Sequence, residues 1–466
     1  MAAGFLSLAF AAVILIPLYH GLTRFYLANS DQDVDLTYQA LMLNAGRGVP
    51  YHPHTGFGYA LLLAPWLSLA QGLGLIEVAS LDALIDTTRF DTLYTQIVAA
   101  GRALTIVFAV LTVAVFAAVV RLWCRDRLLA AVAAFLLATS LGLGYQFTVL
   151  RTELPSMLAL LTALALVLIA SRVGGWGAVL ALGGAAFVTV FAGMIKVQAV
   201  LVALLLPVIP FLLPPPPASR PPSAKATGLS LVLGGTIGGP GLFRLAEALA
   251  MGPTWTYQLA GILGLTAAVA VYARFTLEQP AWIVPVLSAL AAGTGAAAAL
   301  VYISDHWWTL YGLANAFDFL SWNRQGDIAA GTASLIAAAL ERGTAELSRQ
   351  LLEFHATPRD YPLQLVCYAA LLGCLVLPMR GRSGSAVAAA CCLVFAFGLI
   401  VLFSVRGYYY YYQIYTEPFF ILAAAIVAVA TIPRDGLPRL TPGLVVGLVL
   451  SLAIGLSSVR FNLIAP

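Results

Sequence analysis

Long apolar runs recur along the whole chain, and no other feature limits its fold so strongly. They are read at 4–22, 101–122, 127–146, 154–171, 175–194, 197–213, 229–250, 256–273, 281–303, 362–379, 384–404, 417–432 and 441–458. A hydrocarbon core of about 30 Å takes about 20 apolar residues per crossing helix, and lipid offers no water to unpaired backbone groups. The alternation over about ten residues that a membrane barrel requires is absent. Composition agrees, with 61% hydrophobic and 9% charged residues, where a soluble chain carries about 25% charged. The expected fold is therefore all-α and polytopic, with about 11–13 transmembrane helices and helical outer loops, in a single transmembrane domain over 1–466. The opening MAAGFLSLAFAAVILIPLYHGL has no basic n-region and is expected to be a retained first span. Residues 57–75 are apolar but short and interrupted by Pro65, the pattern of a re-entrant or interfacial segment.

Loop charge sets the expected orientation. With the N-terminus cytoplasmic and 57–75 not crossing, short cytoplasmic loops hold Arg121, Arg125, Arg127, Arg172, Arg220, Lys225, Arg274, Arg380, Arg382, Arg434 and Arg439 against Asp126, Glu278 and Asp435. This satisfies the positive-inside rule, although Arg24 falls on the outer side. Two long outer segments result, 23–100 with juxtamembrane helices and 304–361, while the Pro-rich 214–228 is a cytoplasmic linker. Glu77, Asp82, Asp86 and Asp91 are spaced like one solvated helix face, with no chemistry assigned. Trp307, Trp308 and Trp322 fit interfacial anchors. The five cysteines, Cys124, Cys367, Cys374, Cys391 and Cys392, lie in or beside apolar spans and outline no disulfide framework. No nucleic-acid partner is expected.

Acid–base capacity concentrates in NSDQDVDLTYQALMLNAGRGVPYHPHTGFGY, residues 29–59. One Asp would cap the helix that follows, but Asp31, Asp33 and Asp35 at alternate positions exceed that need. Close carboxylates repel, which favours a general base or a divalent metal site. His52 and His54 flank a proline and offer substrate hydrogen bonds or loop packing rather than a metal site. Lys196, between two apolar runs at the outer interface, either snorkels to water or acts on a substrate. Arg151 and Glu153 open the next outer boundary as a structural or functional pair, with Pro155 in the helix first turn. Arg406 precedes a tyrosine run, and its guanidinium suits phosphate oxygens. Together with Arg102, these cations point to a phosphate-bearing substrate with its apolar tail in the membrane.

Asp31-Gln32-Asp33 with Tyr38 behind it, HPHTGFGYALLLAPWL, the paired spans around the basic turn of RLWCRDRLL, RTELPSMLALLTALAL, GAAFVTVFAGMIKVQAVLVALLLPV and RGYYYYYQIYTEPFFILAAA resemble the GT-C superfamily of integral-membrane glycosyltransferases. The likeness is strongest to the lipid A aminoarabinose transferases and protein O-mannosyltransferases, over 29–213 and 404–430. It implies a polyprenyl-phosphate sugar donor, a lipid, glycan or protein acceptor, and a bacterial inner-membrane location with the site facing the periplasm. Asp31 would be the first candidate base and Asp33 its neighbour. Lys196 and Arg406 would neutralise the departing phosphate, Arg151 and Glu153 would border the sugar, and His52, His54, Tyr59 and Tyr409 would line the substrates. A divalent metal, used by some members, would sit on Asp31 and Asp33. Rival classes are a flippase or transporter of lipid-linked saccharides and an O-antigen polymerase or ligase.

Overall fold

The structure, a computed structural model, describes residues 1–22, 26–48, 57–85, 87–146, 149–173, 175–196, 383–404 and 410–431, with scattered residues at 199, 202, 341, 345 and between 449 and 459. The expected segments 214–228 and 304–361, Trp307, Trp308, Trp322, Cys367, Cys374, Arg220, Lys225 and Arg274 fall outside this set or are represented only by isolated positions. In chain order the helices are α1 (Ala2–His20), α2 (Asp35–Asn44), α3 (Phe57–Gly72), α4 (Leu81–Ile85), α5 (Phe90–Cys124), α6 (Arg127–Ala138), α7 (Leu141–Gly144), α8 (Glu153–Val173), α9 (Gly175–Ile195), α10 (Ser383–Ser404) and α11 (Glu417–Thr431). A 3-10 turn (Tyr26–Asn29) and a π turn (Ser30–Val34) precede α2, and a second 3-10 turn (Tyr410–Tyr415) precedes α11. No strand occurs among the described residues. Four stretches among them, Ala2–His20, Phe90–Cys124, Glu153–Ala170 and Tyr412–Ala430, are long and apolar enough to cross a membrane. The chain is a membrane-embedded helical protein.

Its contacts divide into two compact units: Met1–Asn29, Val98–Leu154 and Leu320–Pro466 form one, and Ser30–Ile97 with Pro155–Phe319 form the other. In the first, α1 packs on α6 and α10 on α11. Ala9, Val13 and Ile16 repeat at helical spacing and are buried, and Phe5 meets Phe135 edge-on at 5.6 Å. Phe395–Phe419 and Phe397–Phe420 repeat that geometry at 5.2 Å between α10 and α11. The basic turn is tight: Arg125 takes a left-handed φ of 57°, and the Asp126 carboxylate accepts the N–H groups of Leu128 and Leu129 to cap α6.

That cap starts a helix shorter than the apolar run. The span expected over 127–146 stops at Ala138, and twelve residues cover only about 18 Å. The Thr139 hydroxyl turns back onto the Phe135 and Leu136 carbonyls, and the Ser140 side chain caps α7 by accepting the Leu143 N–H. The Ser140 cap, with its extended backbone, starts a new helix in place of continuing α6.

The second unit is knit by polar contacts around α3. Pro65 does not break this helix. It lies on an exposed side, while Ala60, Leu63, Ala64, Leu67 and Ala70 form a buried stripe at helical spacing. At 16 residues α3 is about 24 Å long, short of the about 20 residues that a crossing helix takes. Gly46 and Gly74, at φ of 66° and 72°, end α2 and α3 with paired backbone bonds, Arg47 N–H to Met42 and Leu75 N–H to Ala70, that satisfy free carbonyls. The expected single acidic face over 77–91 is not one helix. Glu77 lies in a loop and takes a two-pronged contact from Arg89 at 3.0 and 3.1 Å. Asp82 on α4 pairs with Arg47, Asp91 is in the first turn of α5, and Asp86 is outside the described residues.

Asn44 joins these pieces. Its side-chain amide donates to the Ala64 carbonyl at 2.9 Å and to the Ala79 carbonyl at 2.8 Å, tying the end of α2 to α3 and to the loop before α4. Asn44→Ala removes two such bonds, each worth about 1 kcal/mol net. The expected result is about 2 kcal/mol lost from this unit, read as a lower melting temperature of the purified protein in detergent.

Candidate functional site

The acidic stretch forms a local structure that helical periodicity alone does not anticipate. Ser30–Val34 winds as a π turn and runs directly into α2. Such turns are rare and frequent at functional sites, because the extra residue re-aims the side chains around it. Val34 occupies the N-cap position of α2 with helical dihedrals and no side-chain cap bond. None of the three aspartates is the N-cap of α2, and Asp35 stands in its first turn. Asp35 instead accepts from Gln39 one turn on, at 3.0 Å. Asp33 is fully buried. The Tyr94 hydroxyl donates to the Val34 carbonyl at 2.9 Å and so holds the turn against α5. Asp31 lies on the same turn, and its side chain is outside the described set.

From this turn a run of packed elements leads to Lys196 within the same unit. The π turn contacts α2, α2 contacts α3, and α3 contacts α9. The approach of α3 to α9 is close: a Cβ on Gly58 would lie 2.9 Å from the Met194 and Ile195 backbone, so this position must be glycine. Tyr59, the next residue, is fully buried. Lys196 follows directly on α9, donates its backbone N–H to Ala192 at 3.0 Å, and is buried. A cation there complements the carbonyl end of the helix.

One unit thus gathers Asp33, Tyr59 and Lys196. Arg151 and Glu153 belong to the other unit, where buried Glu153 opens α8 two residues after half-buried Arg151. His52, His54, Arg406 and Tyr409 lie outside the described residues. Arg102 is buried and donates to the Leu22 carbonyl just past α1 at 3.1 Å. That bond takes one of the several donors of its guanidinium. No group of three His, Cys, Asp or Glu that would hold a metal occurs among the described residues.

A buried carboxylate that sequence reasoning missed lies in the Arg151 unit. Glu417, in the first turn of α11, accepts the Gly142 N–H with both carboxylate oxygens at 3.1 Å, across 275 residues of chain. The Ser140 hydroxyl hydrogen-bonds the same carboxylate. The signal was present as an acid flanking a long apolar run, a position that is costly unless paired, but it was obscured by the tyrosines before it.

The chain matches no family model, no curated protein and no solved structure.

Proposed function

We propose that this protein is a GT-C type glycosyltransferase of the bacterial inner membrane. It moves one sugar from a polyprenyl-phosphate donor to a hydroxyl of a lipid, glycan or protein on the periplasmic face. The observation that carries this reading is the burial of both Asp33 and Lys196 within one unit of a lipid-embedded chain. Ionisable side chains at membrane depth are expensive and are retained where they act. A base and a cation are the two groups that this transfer requires.

In the reaction, the acceptor oxygen forms a bond to the anomeric carbon as its proton passes to an Asp of the π turn, Asp33 or its neighbour Asp31. The bond from that carbon to the phosphate oxygen breaks, and its electron pair leaves on polyprenyl phosphate. Lys196 and Arg406 meet the developing negative charge, the role that fixed cations fill best in a site shielded from water. Tyr59, buried in the same unit as Asp33 and Lys196, adds a substrate contact. Asp31 and Asp33 are oxygen donors of the class that magnesium accepts alongside its waters, and a divalent ion held there would offset donor phosphate charge.

Purified protein in proteoliposomes, given a panel of polyprenyl-phosphate sugars, should form a new glycosidic bond and release polyprenyl phosphate. Saccharide that crosses the bilayer with no new bond would mark a transporter instead. Lys196→Ala and Arg406→Ala are each expected to weaken donor affinity about tenfold or more, the weight of a charge-assisted hydrogen bond. Donor titrations followed by thermal shift measure this, and unchanged affinity in both variants would remove the phosphate role.

A further inference from the structure

Threonines inside helices have a standard solution where water is scarce: the hydroxyl donates to the carbonyl four residues back. Thr95, Thr112, Thr139, Thr162 and Thr189 all do so, at 2.7–2.9 Å. Thr37 does not. It is 1% exposed in the first turn of α2, and its hydroxyl has no hydrogen-bond partner. The side-chain carbonyl oxygen of Gln32, on the π turn, is likewise buried and without a partner. These two oxygens bracket Asp33 in sequence, Gln32 directly before it and Thr37 one helical turn after it. The difference from the other threonines is local, since only Thr37 follows directly on the widened turn.

Buried polar atoms left unpaired are destabilising, and two on the turns either side of one buried acid point to a ligand that completes them. The chemistry narrows what that ligand presents. An amide oxygen accepts hydrogen bonds and cannot donate them, so the group opposite Gln32 must carry a proton to give. An ionised phosphate has none. A hydroxyl does, and a hydroxyl can also accept from Thr37.

We propose that Thr37 is a specificity-determining residue that, with the Gln32 amide oxygen, binds hydroxyl groups of a sugar or of the acceptor beside Asp33. The proposal rests on the transferase reading above and extends it from the phosphate end of the substrate to its polyol end. Thr37 was not a candidate on sequence grounds, because a threonine in a helix pattern is ordinary until its hydroxyl is seen to lack the ordinary bond.

The test is Thr37→Val, which keeps the shape and removes only the hydroxyl, with Gln32→Met as a second variant, both in the full-length protein. Ligand-free melting temperature should stay level or rise, because an unpaired buried group has been removed. Thermal shifts are then compared for polyprenyl phosphate alone and for polyprenyl-phosphate sugars, alongside transfer in proteoliposomes. If the hydroxyl belongs to the donor, the sugar-dependent part of the shift weakens about tenfold in affinity while the response to polyprenyl phosphate stays. If it belongs to the acceptor, donor binding stays and transfer falls about tenfold. A lowered ligand-free melting temperature in both variants would mean that these oxygens have a structural partner, such as a buried water, and would overturn the proposal. So would normal donor shifts together with normal transfer. A wild-type protein that responds to no polyprenyl-phosphate sugar overturns the transferase reading itself, and with it the ligand named here.

Discussion

Asp33→Asn is expected to lower sugar transfer by about 10²–10⁴-fold, the usual contribution of a positioned general base, while the protein remains folded and still binds its donor. The size of this effect follows from the setting of the side chain. Asp33 is buried on a π turn that is bonded to α5 through Tyr94. Asparagine has nearly the same volume and keeps an acceptor oxygen, so the turn should keep its form. What it lacks is the capacity to take a proton from an attacking hydroxyl. The comparison that matters is with Asp31→Asn, one residue pair earlier on the same turn. Transfer is measured in proteoliposomes, and donor binding by thermal shift on the same preparations. One variant losing transfer with donor binding intact identifies the base. Normal transfer in both variants would show that neither aspartate accepts the proton.

The second large effect is structural and concerns Gly142. Its N–H points at the Glu417 carboxylate, and a Cβ at this position would run into that carboxylate, the Ile414 nitrogen at 2.6 Å and the Gln413 carbonyl carbon at 2.8 Å. Two of these neighbours are backbone, which cannot rotate away as a side-chain end would. Gly142→Ala must therefore push α7 from the turn before α11 and leave a buried carboxylate without its N–H partner. Overpacking of this kind costs about 1–3 kcal/mol, and loss of a hydrogen bond to a charged group adds about 1.5–3 kcal/mol. The expected loss is about 2.5–6 kcal/mol, enough to lower the yield of folded protein in detergent and its melting temperature sharply. Glu417→Gln keeps an acceptor for the N–H and should be much milder than Glu417→Ala. Equal stability of Gly142→Ala and wild type would mean that this junction is not close-packed.

The junction also shows where sequence reading reaches its limit. Ser140, Gly142 and Glu417 are each unremarkable in their own segments, and the bond between them spans 275 residues. Its existence depends on which helix N–H groups tertiary packing leaves without partners. The bond from Arg102 to the Leu22 carbonyl beyond α1 is of the same kind, joining residues 80 apart in the chain.

The apolar runs required no such help. Residues 154–171, 175–194, 384–404 and 417–432, read as spans, lie close to Glu153–Val173, Gly175–Ile195, Ser383–Ser404 and Glu417–Thr431. Lipid makes that reading possible: a helix must satisfy its own backbone bonds over about 20 residues, so hydrophobic length marks these four helices, though not the stop of α6 at Ala138. Asp126, counted from the sequence only as a loop acid, caps α6, and Gly46 and Gly74 close α2 and α3. What hydrophobic length leaves open is the direction and partnership of a single polar group. Folding turned three similar carboxylates in SDQDVD into one buried acid, Asp33, one paired with its own helix, Asp35, and a π turn beneath them. It also denied Thr37 the carbonyl that other helical threonines use. The Asp35 pair and the Thr37 difference are local, but the turn itself is held by Tyr94 of α5, far along the chain, and no window of neighbouring residues contains that contact.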